Sequence, residues 1–106
     1  FVSGSPAADA PPAGIVVLLY RQSIWTASED CLLEDVYVEE HARGAGLGRA
    51  LVEFSLERAR ERGCRRAELD VNEANEPALK LYESLGFGKK ATPWAGRDLF
   101  INIRLD

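Results

Sequence analysis

The sequence has no methionine, one histidine (His41) and two cysteines (Cys31 and Cys64), and each shortage removes a class of protein. A chain that opens on Phe1 without a start methionine reads as a fragment or a processed product, so further residues are expected upstream. One histidine and two distant cysteines do not form the common zinc arrangements, and no metal is expected. The two thiols are expected to be reduced and structural, in a cytoplasmic protein. No apolar run approaches the ~20 residues that cross a bilayer and no secretory segment is recognisable, so no membrane association is expected. Positive charge is also short: 13 Lys and Arg stand against 17 Asp and Glu, for a net charge of −4. That balance argues against a nucleic-acid partner and leaves room for a cationic one.

What is present is 106 residues, 46% hydrophobic and 28% charged, enough for one globular domain burying roughly 65% of its unfolded surface. Residues 1–13 read as a flexible tail or a loop within the domain, and 14–106 as the folded body. Ser3 to Gly14 carries three prolines and four alanines and is expected to add nothing to the core. Phe1-Val2 would be the stub of a preceding strand. Gly14 to Tyr20 is a β-branched strand, and Cys31 to Val38 the next, antiparallel to it. Trp25, in the connection between them, is either a lid over the core or an acceptor-site residue. Leu47 to about Arg62 is an amphipathic helix with Leu47, Ala50, Leu51 and Phe54 inward and Gly63 as its C′ residue. Cys64 to Val71 alternates, which predicts a parallel strand-helix-strand unit at the centre of an α/β sheet. A second helix opens at Asn75-Glu76-Pro77, turns Ala78, Leu81, Tyr82 and Leu85 inward, and stops at Gly86. Lys89 to Arg97 reads as a loop and Leu99 to Leu105 as a final strand.

Two stretches carry chemistry. The first, Arg43-Gly44-Ala45-Gly46-Leu47-Gly48-Arg49, lies between a strand and a helix. Its glycines leave the backbone open, and the helix adds its positive N-terminal end, so the loop is a candidate anion cradle. The spacing is neither the dinucleotide Gly-x-Gly-x-x-Gly nor a Gly-Lys-Ser/Thr phosphate loop, and both readings are disfavoured. The second is Asn75-x-x-Ala78-x-x-x-Tyr82-x-x-Leu85-Gly86-Phe87. Asn75 stands where a parallel strand gives way to a helix, at the carboxyl edge of the sheet where ligands bind in open α/β folds.

In this order, with the strand Ala67 to Val71 between them, the two motifs resemble the coenzyme half of the GNAT superfamily of N-acetyltransferases. Arg43, Gly46 and Gly48 fall on the signature Gln/Arg-x-x-Gly-x-Gly/Ala. Leu33 to Val38, Asn75-Glu76-Pro77 and Trp94-x-Gly96-Arg97-x-Leu99-Phe100 are similar to the diamine (spermidine/spermine) branch. The resemblance implies a GNAT-type mixed, largely antiparallel sheet around the parallel unit. Nothing before Ile15 corresponds to the family's opening strand and two helices, so these are expected to be missing or supplied by a partner.

The resemblance also implies roles. Val36, Tyr37 and Val38 would pair through their backbone with the pantetheine arm of acetyl-coenzyme A, and one of their N–H groups would polarise the thioester carbonyl. Arg43, Gly44, Ala45, Gly46, Leu47, Gly48 and Arg49 would hold the pyrophosphate. Asn75 would contact the coenzyme near its thioester, and Tyr82 would protonate the departing thiolate as general acid. The acceptor amine must lose a proton before it attacks. Glu34 and Asp35 point to opposite faces of a regular strand, so either one can face the acceptor as base and cation anchor. His41 sits at the loop entry, beside the phosphate site. The implied activity is transfer of an acetyl group from acetyl-coenzyme A to a primary amine, a small amine or polyamine, by a homodimer. The alternatives are acetylation of a protein N-terminus or lysine, and a coenzyme-binding module without catalysis.

Overall fold

The computed structural model describes residues 2–5, 9–24, 27–88 and 101–105. Its sheet has the order β1 (Val2–Gly4), β2 (Gly14–Ser23), β3 (Ser28–Val38) and β4 (Arg66–Leu69). β1 with β2 and β2 with β3 are antiparallel, while β3 with β4 is parallel. Helix α1 (Leu47–Arg62) makes the crossover between the parallel strands, and α2 (Glu76–Ser84) follows β4. This is the mixed α/β sheet with a parallel strand-helix-strand unit that the sequence leads one to expect, although among the described residues that unit stands at one edge of the sheet and not at its centre.

The core forms because one face of the sheet alternates in step with one stripe of α1. Val16, Cys31, Leu33, Val52 and Ala59 are buried together, and Leu18, Val36, Leu69, Tyr82, Leu85 and Phe87 pack around them. Burying a side chain such as Val16 or Val52 stabilises by about 1.5–3 kcal/mol. A second cluster, Ala13, Ala42, Leu47 and Leu51, joins Val2 and Val38 beneath the glycine-rich turn. Ala42 and Leu47 flank that turn, so the loop is pinned at both ends by apolar burial. Gly14 lets α1 come close: a Cβ there would stand 2.8 Å from Leu51 Cδ1 and 3.2 Å from the Tyr37 carbonyl oxygen.

β3 carries an irregularity that alternation alone does not reveal. Val17 pairs with Asp35 but Leu18 pairs with Leu33, so Glu34 is an extra residue, a β-bulge. Before it the core-facing residues are Cys31 and Leu33; after it they are Val36 and Val38. Pairing of β3 with β4 ends at Leu33 and Leu69, where the bulge begins. Among the described residues, the edge of β3 beyond Leu33 therefore has no strand beside it.

Several expectations need correction. Ser3 to Gly14 does contribute to the fold: β1 runs to Gly4, Ala13 is buried, and the Ala13 N–H donates to the Gly4 carbonyl at 2.8 Å. Helix α1 has the expected ends, with Gly63 in the left-handed conformation as its C-cap, but not the expected face. Ala50 and Phe54 are exposed, while Leu47, Leu51, Val52, Ser55 and Ala59 are buried. At 100° per residue the buried stripe is centred near Val52 and Ser55, and Phe54 falls outside it. Ser55 is tolerated there because its hydroxyl donates to the Leu51 carbonyl at 2.7 Å. β4 is shorter than Cys64 to Val71, ending where β3 departs. Residues 101–105 form no strand, and Ile101 and Leu105 are 83% and 92% exposed; alternation makes a strand only where an edge is available to pair with it. The loop expected from Lys89 to Arg97, Trp94 included, lies outside the described residues.

Candidate active site

Two adjoining clefts run along the carboxyl ends of β3 and β4. One, of about 240 Å³, lies between the diverging strands and is lined by Glu34, Asp35, Val36, Asp70, Asn75 and Tyr82, together with Leu33, Leu69, Val71, Asn72 and Ala78. The other, of about 410 Å³, is lined by Val38, Arg43, Gly44, Gly46, Gly48 and Arg49 and, from α2, Pro77, Ala78 and Leu81. Ala78 borders both, so the clefts meet across the first turn of α2.

The second cleft has the features of an anion cradle. Gly44 and Gly46 have φ of +83° and +85°, and neither position has an atom within 4 Å of where a Cβ would stand. Gly46 is the N-cap of α1 and offers no side-chain cap, and no acidic residue stands in the first turn. The first i→i−4 bond of the helix is Ala50 N–H to the Gly46 carbonyl, 3.0 Å. The preceding N–H groups, of Leu47, Gly48 and Arg49, have no acceptor within the helix. An uncapped, positively polarised helix end between two arginines fits a pyrophosphate.

Both arginines have roles within the protein. Arg43 Nε donates to the Val38 carbonyl at 2.9 Å, and its guanidinium lies 5.7 Å from the centre of the Tyr37 ring. Arg49 Nε donates to Glu53 Oε1 and its Nη1 to Ser84 Oγ, each at 2.9 Å, tying the start of α1 to the end of α2. The side chains of Tyr37, Ala45 and Leu47 line neither cleft; Leu47 is a core residue.

In the first cleft, Tyr82 stands edge-to-face with Phe87, with ring centroids 5.8 Å apart and planes at 68°. Burial pushes its phenol above the ordinary value of 10.0, so it is protonated at neutral pH and able to donate. Asn75 is the N-cap of α2, its Oδ1 accepting from the Ala78 N–H at 3.3 Å. That leaves its side-chain amide N–H groups for the cleft.

Glu34 and Asp35 were expected on opposite faces of the strand. The bulge takes Glu34 out of the ladder, and both residues line the same cleft. Trp25 lies outside the described residues, and His41 is exposed in the 3₁₀ turn Glu40–Ala42, lining neither cleft. Sequence reasoning passed over Asp70, Val71 and Asn72. Their position directly after β4, at the carboxyl edge of the sheet, was the available signal.

The fold is an open α/β sheet with two clefts at the carboxyl ends of its parallel strands, and comparison with known proteins gives its family. The profile of the Acetyltransferase (GNAT) family matches residues 7–87, and the chain belongs to that family. Over 70 residues it is 44% identical to mycothiol acetyltransferase of Thermomonospora curvata, covering 63% of this chain and 24% of that protein. Over 73 residues it is 36% identical to thialysine N-epsilon-acetyltransferase of Sus scrofa, covering 69% of this chain and 41% of that protein. The crystal structure of a probable acetyltransferase superposes with a TM-score of 0.78 at 25% identity, covering 96% of this chain and 67% of that one. The chain thus spans a quarter to two-fifths of the length of these two curated relatives.

Proposed function

We propose that this chain is the coenzyme-binding and catalytic portion of an acetyl-coenzyme A-dependent N-acetyltransferase acting on a small primary amine, of the diamine or polyamine class. The observation that carries the reading is the continuity of the two clefts. A cradle suited to pyrophosphate leads along the open edge of β3, past Ala78, to a slot holding carboxylates and a protonated phenol. Gly44 to Arg49 hold the phosphates through backbone N–H groups. The backbone of Val36 to Val38 pairs with the pantetheine arm and directs an N–H at the thioester oxygen, where charge develops in the transition state. Glu34 or Asp35 takes the proton from the acceptor ammonium, directly or through water. Tyr82 gives its proton to the departing thiolate. Transfer is direct, so no side chain need act as nucleophile.

The acidic lining of the first cleft favours a cationic small amine over the alternatives. The free thiols of Cys31 and Cys64 fit a reducing, cytoplasmic setting, and we expect a homodimer, which equilibrium sedimentation would test. The primary test is a thermal shift with acetyl-coenzyme A, followed by thiol release with and without a panel of amines. Stabilisation with amine-dependent thiol release is the expected result. Stabilisation without it would make this a coenzyme-binding module, and release only with peptides would shift the reading to protein acetylation.

A further inference from the structure

The directions of the backbone groups at the end of β3 follow from two contacts. The Glu39 N–H donates to the Ala13 carbonyl at 2.6 Å, on the β2 side. A trans peptide sets its N–H and C=O in opposite directions, so the Val38 carbonyl, in the same peptide unit, points away from β2 to the open edge. The Tyr37 carbonyl oxygen lies against Gly14 of β2, 3.2 Å from where a Cβ there would stand, so by the same rule the Val38 N–H also points out. Strand alternation turns the groups of Val36 the same way. The outward carbonyl of Val38 is already taken. The 3₁₀ turn Glu40–Ala42 reverses the chain, and burial of Ala42 fixes its end. Arg43 then reaches back: its Nε donates to the Val38 carbonyl at 2.9 Å, and its guanidinium lies 5.7 Å from the centre of the Tyr37 ring. Val38 also adjoins the cradle, since a Cβ at Gly48 would stand 3.6 Å from Val38 Cγ2, and Val38 and Arg43 line the second cleft together. Arg43 thus fastens the residue at which the strand edge meets the glycine-rich loop.

Resting on the function proposed above, we infer that Arg43 is a positioning residue: it caps the Val38 carbonyl and so fixes where the pantetheine arm begins to pair with β3, and it does not serve as a counter-charge for the pyrophosphate. With that carbonyl occupied, the first outward group left to the arm is the Val38 N–H, followed by the groups of Val36. The arm enters only in the register that brings an acceptor to that N–H, and the register sets how far the thioester reaches into the first cleft. A free carbonyl would admit a second register, displaced along the strand. A displacement of about 1 Å at the reacting atoms can cost roughly 10²-fold in rate.

Two substitutions separate the donor from the charge. Glutamine carries a neutral N–H donor on its Cδ, the same place along the side chain as the arginine Nε, whereas methionine ends at that distance in a methyl group. The test uses the full-length protein, acetyl-coenzyme A at two ionic strengths, and a diamine as acceptor. Arg43→Gln should keep coenzyme affinity, its salt dependence and kcat within about threefold of wild type. Arg43→Met should lower kcat about tenfold while weakening coenzyme binding less than about threefold, the mark of a misplaced thioester on a bound coenzyme. Equal loss of coenzyme affinity in both variants, with a shallower salt dependence, would make Arg43 a phosphate counter-charge and overturn the inference. Wild-type kcat in Arg43→Met would overturn it as well. Should the wild type itself show no thermal shift with acetyl-coenzyme A, the proposed function fails, and the register with it.

Discussion

The anion cradle can be tested at Gly46, where charge and size can be changed separately. Its φ of +85° is left-handed, and a Cβ would meet nothing within 4 Å, so any side chain brings strain without a clash. Asn and Asp tolerate that conformation better than other residues and are nearly the same size. Each should cost about 1 kcal/mol, a fall in Tm of roughly 4–8 °C for a domain of this length. An aspartate beside a helix N-terminus adds no electrostatic penalty to the apo fold. The difference appears only with ligand. A carboxylate about 5 Å from a doubly charged pyrophosphate is repelled by roughly 2–5 kcal/mol, taking an effective dielectric between those of water and a protein surface. Gly46→Asp should therefore bind acetyl-coenzyme A about 30-fold to a few thousand-fold more weakly than Gly46→Asn, with the gap narrowing as salt is added. Calorimetric titration at two ionic strengths measures both. Equal affinity of the two variants at low salt, with both folded, would show that no phosphate sits at this helix end.

Removing the Tyr82 hydroxyl should slow thiol release by about 10²-fold with coenzyme affinity nearly intact, since its proton is needed only as the thiolate departs; wild-type turnover by Tyr82→Phe where chemistry limits the rate would make it a packing residue. Asp30 is fully buried, with Arg66 Nη2 and Nε at 2.6 and 3.1 Å from one oxygen, so Arg66→Met should destabilise by roughly 1.5–3 kcal/mol by removing the charge-assisted hydrogen bonds that the guanidinium donates to this buried carboxylate. Denaturant unfolding checks this, and a loss under about 1 kcal/mol would contradict it. Burial raises the phenols of Tyr20 and Tyr82 in the folded state. Their contribution to stability is therefore present below about pH 10 and lost as pH rises through the folded values. Absorbance at 295 nm should show part of the tyrosine signal ionising only as the protein unfolds in alkali.

Much of this molecule is legible in the chain because its signals are local. Glycine punctuation marks both ends of α1, β-branched alternation marks β2 and β3, and Pro77 with Asn75 marks the start of α2. The cradle is legible for the same reason, since its conformation depends on Gly44 and Gly46 themselves. What escaped depends on partners. Whether Phe54 is buried is decided by how α1 sits on the sheet, and whether Ile101 to Leu105 is a strand is decided by an edge elsewhere. Val2–Gly4 pairs with β2, and of this strand only Val2 was marked by the sequence, since Ser3 and Gly4 carry no strand signal. Asp70 is ordinary in sequence and becomes notable only because it follows the end of β4 and lines the first cleft.

The bulge at Glu34 shifts the phase of β3 by one residue. Take that residue away and the inward-facing set would keep a strict period of two, with Cys31, Leu33, Val36 and Val38 following in unbroken phase. The apolar pattern would lose nothing, and β3 could run straight beside β4 with its ladder continued. The sheet would be more regular, and the slot between the strands would close. A one-residue insertion thus trades ladder hydrogen bonds for a place to put a ligand. It also delivers a carboxylate to the mouth of the opening it makes. Length here acts as a functional determinant in its own right: a relative that aligned well but lacked this one position would keep the fold while losing the gap in which the chemistry is proposed to occur.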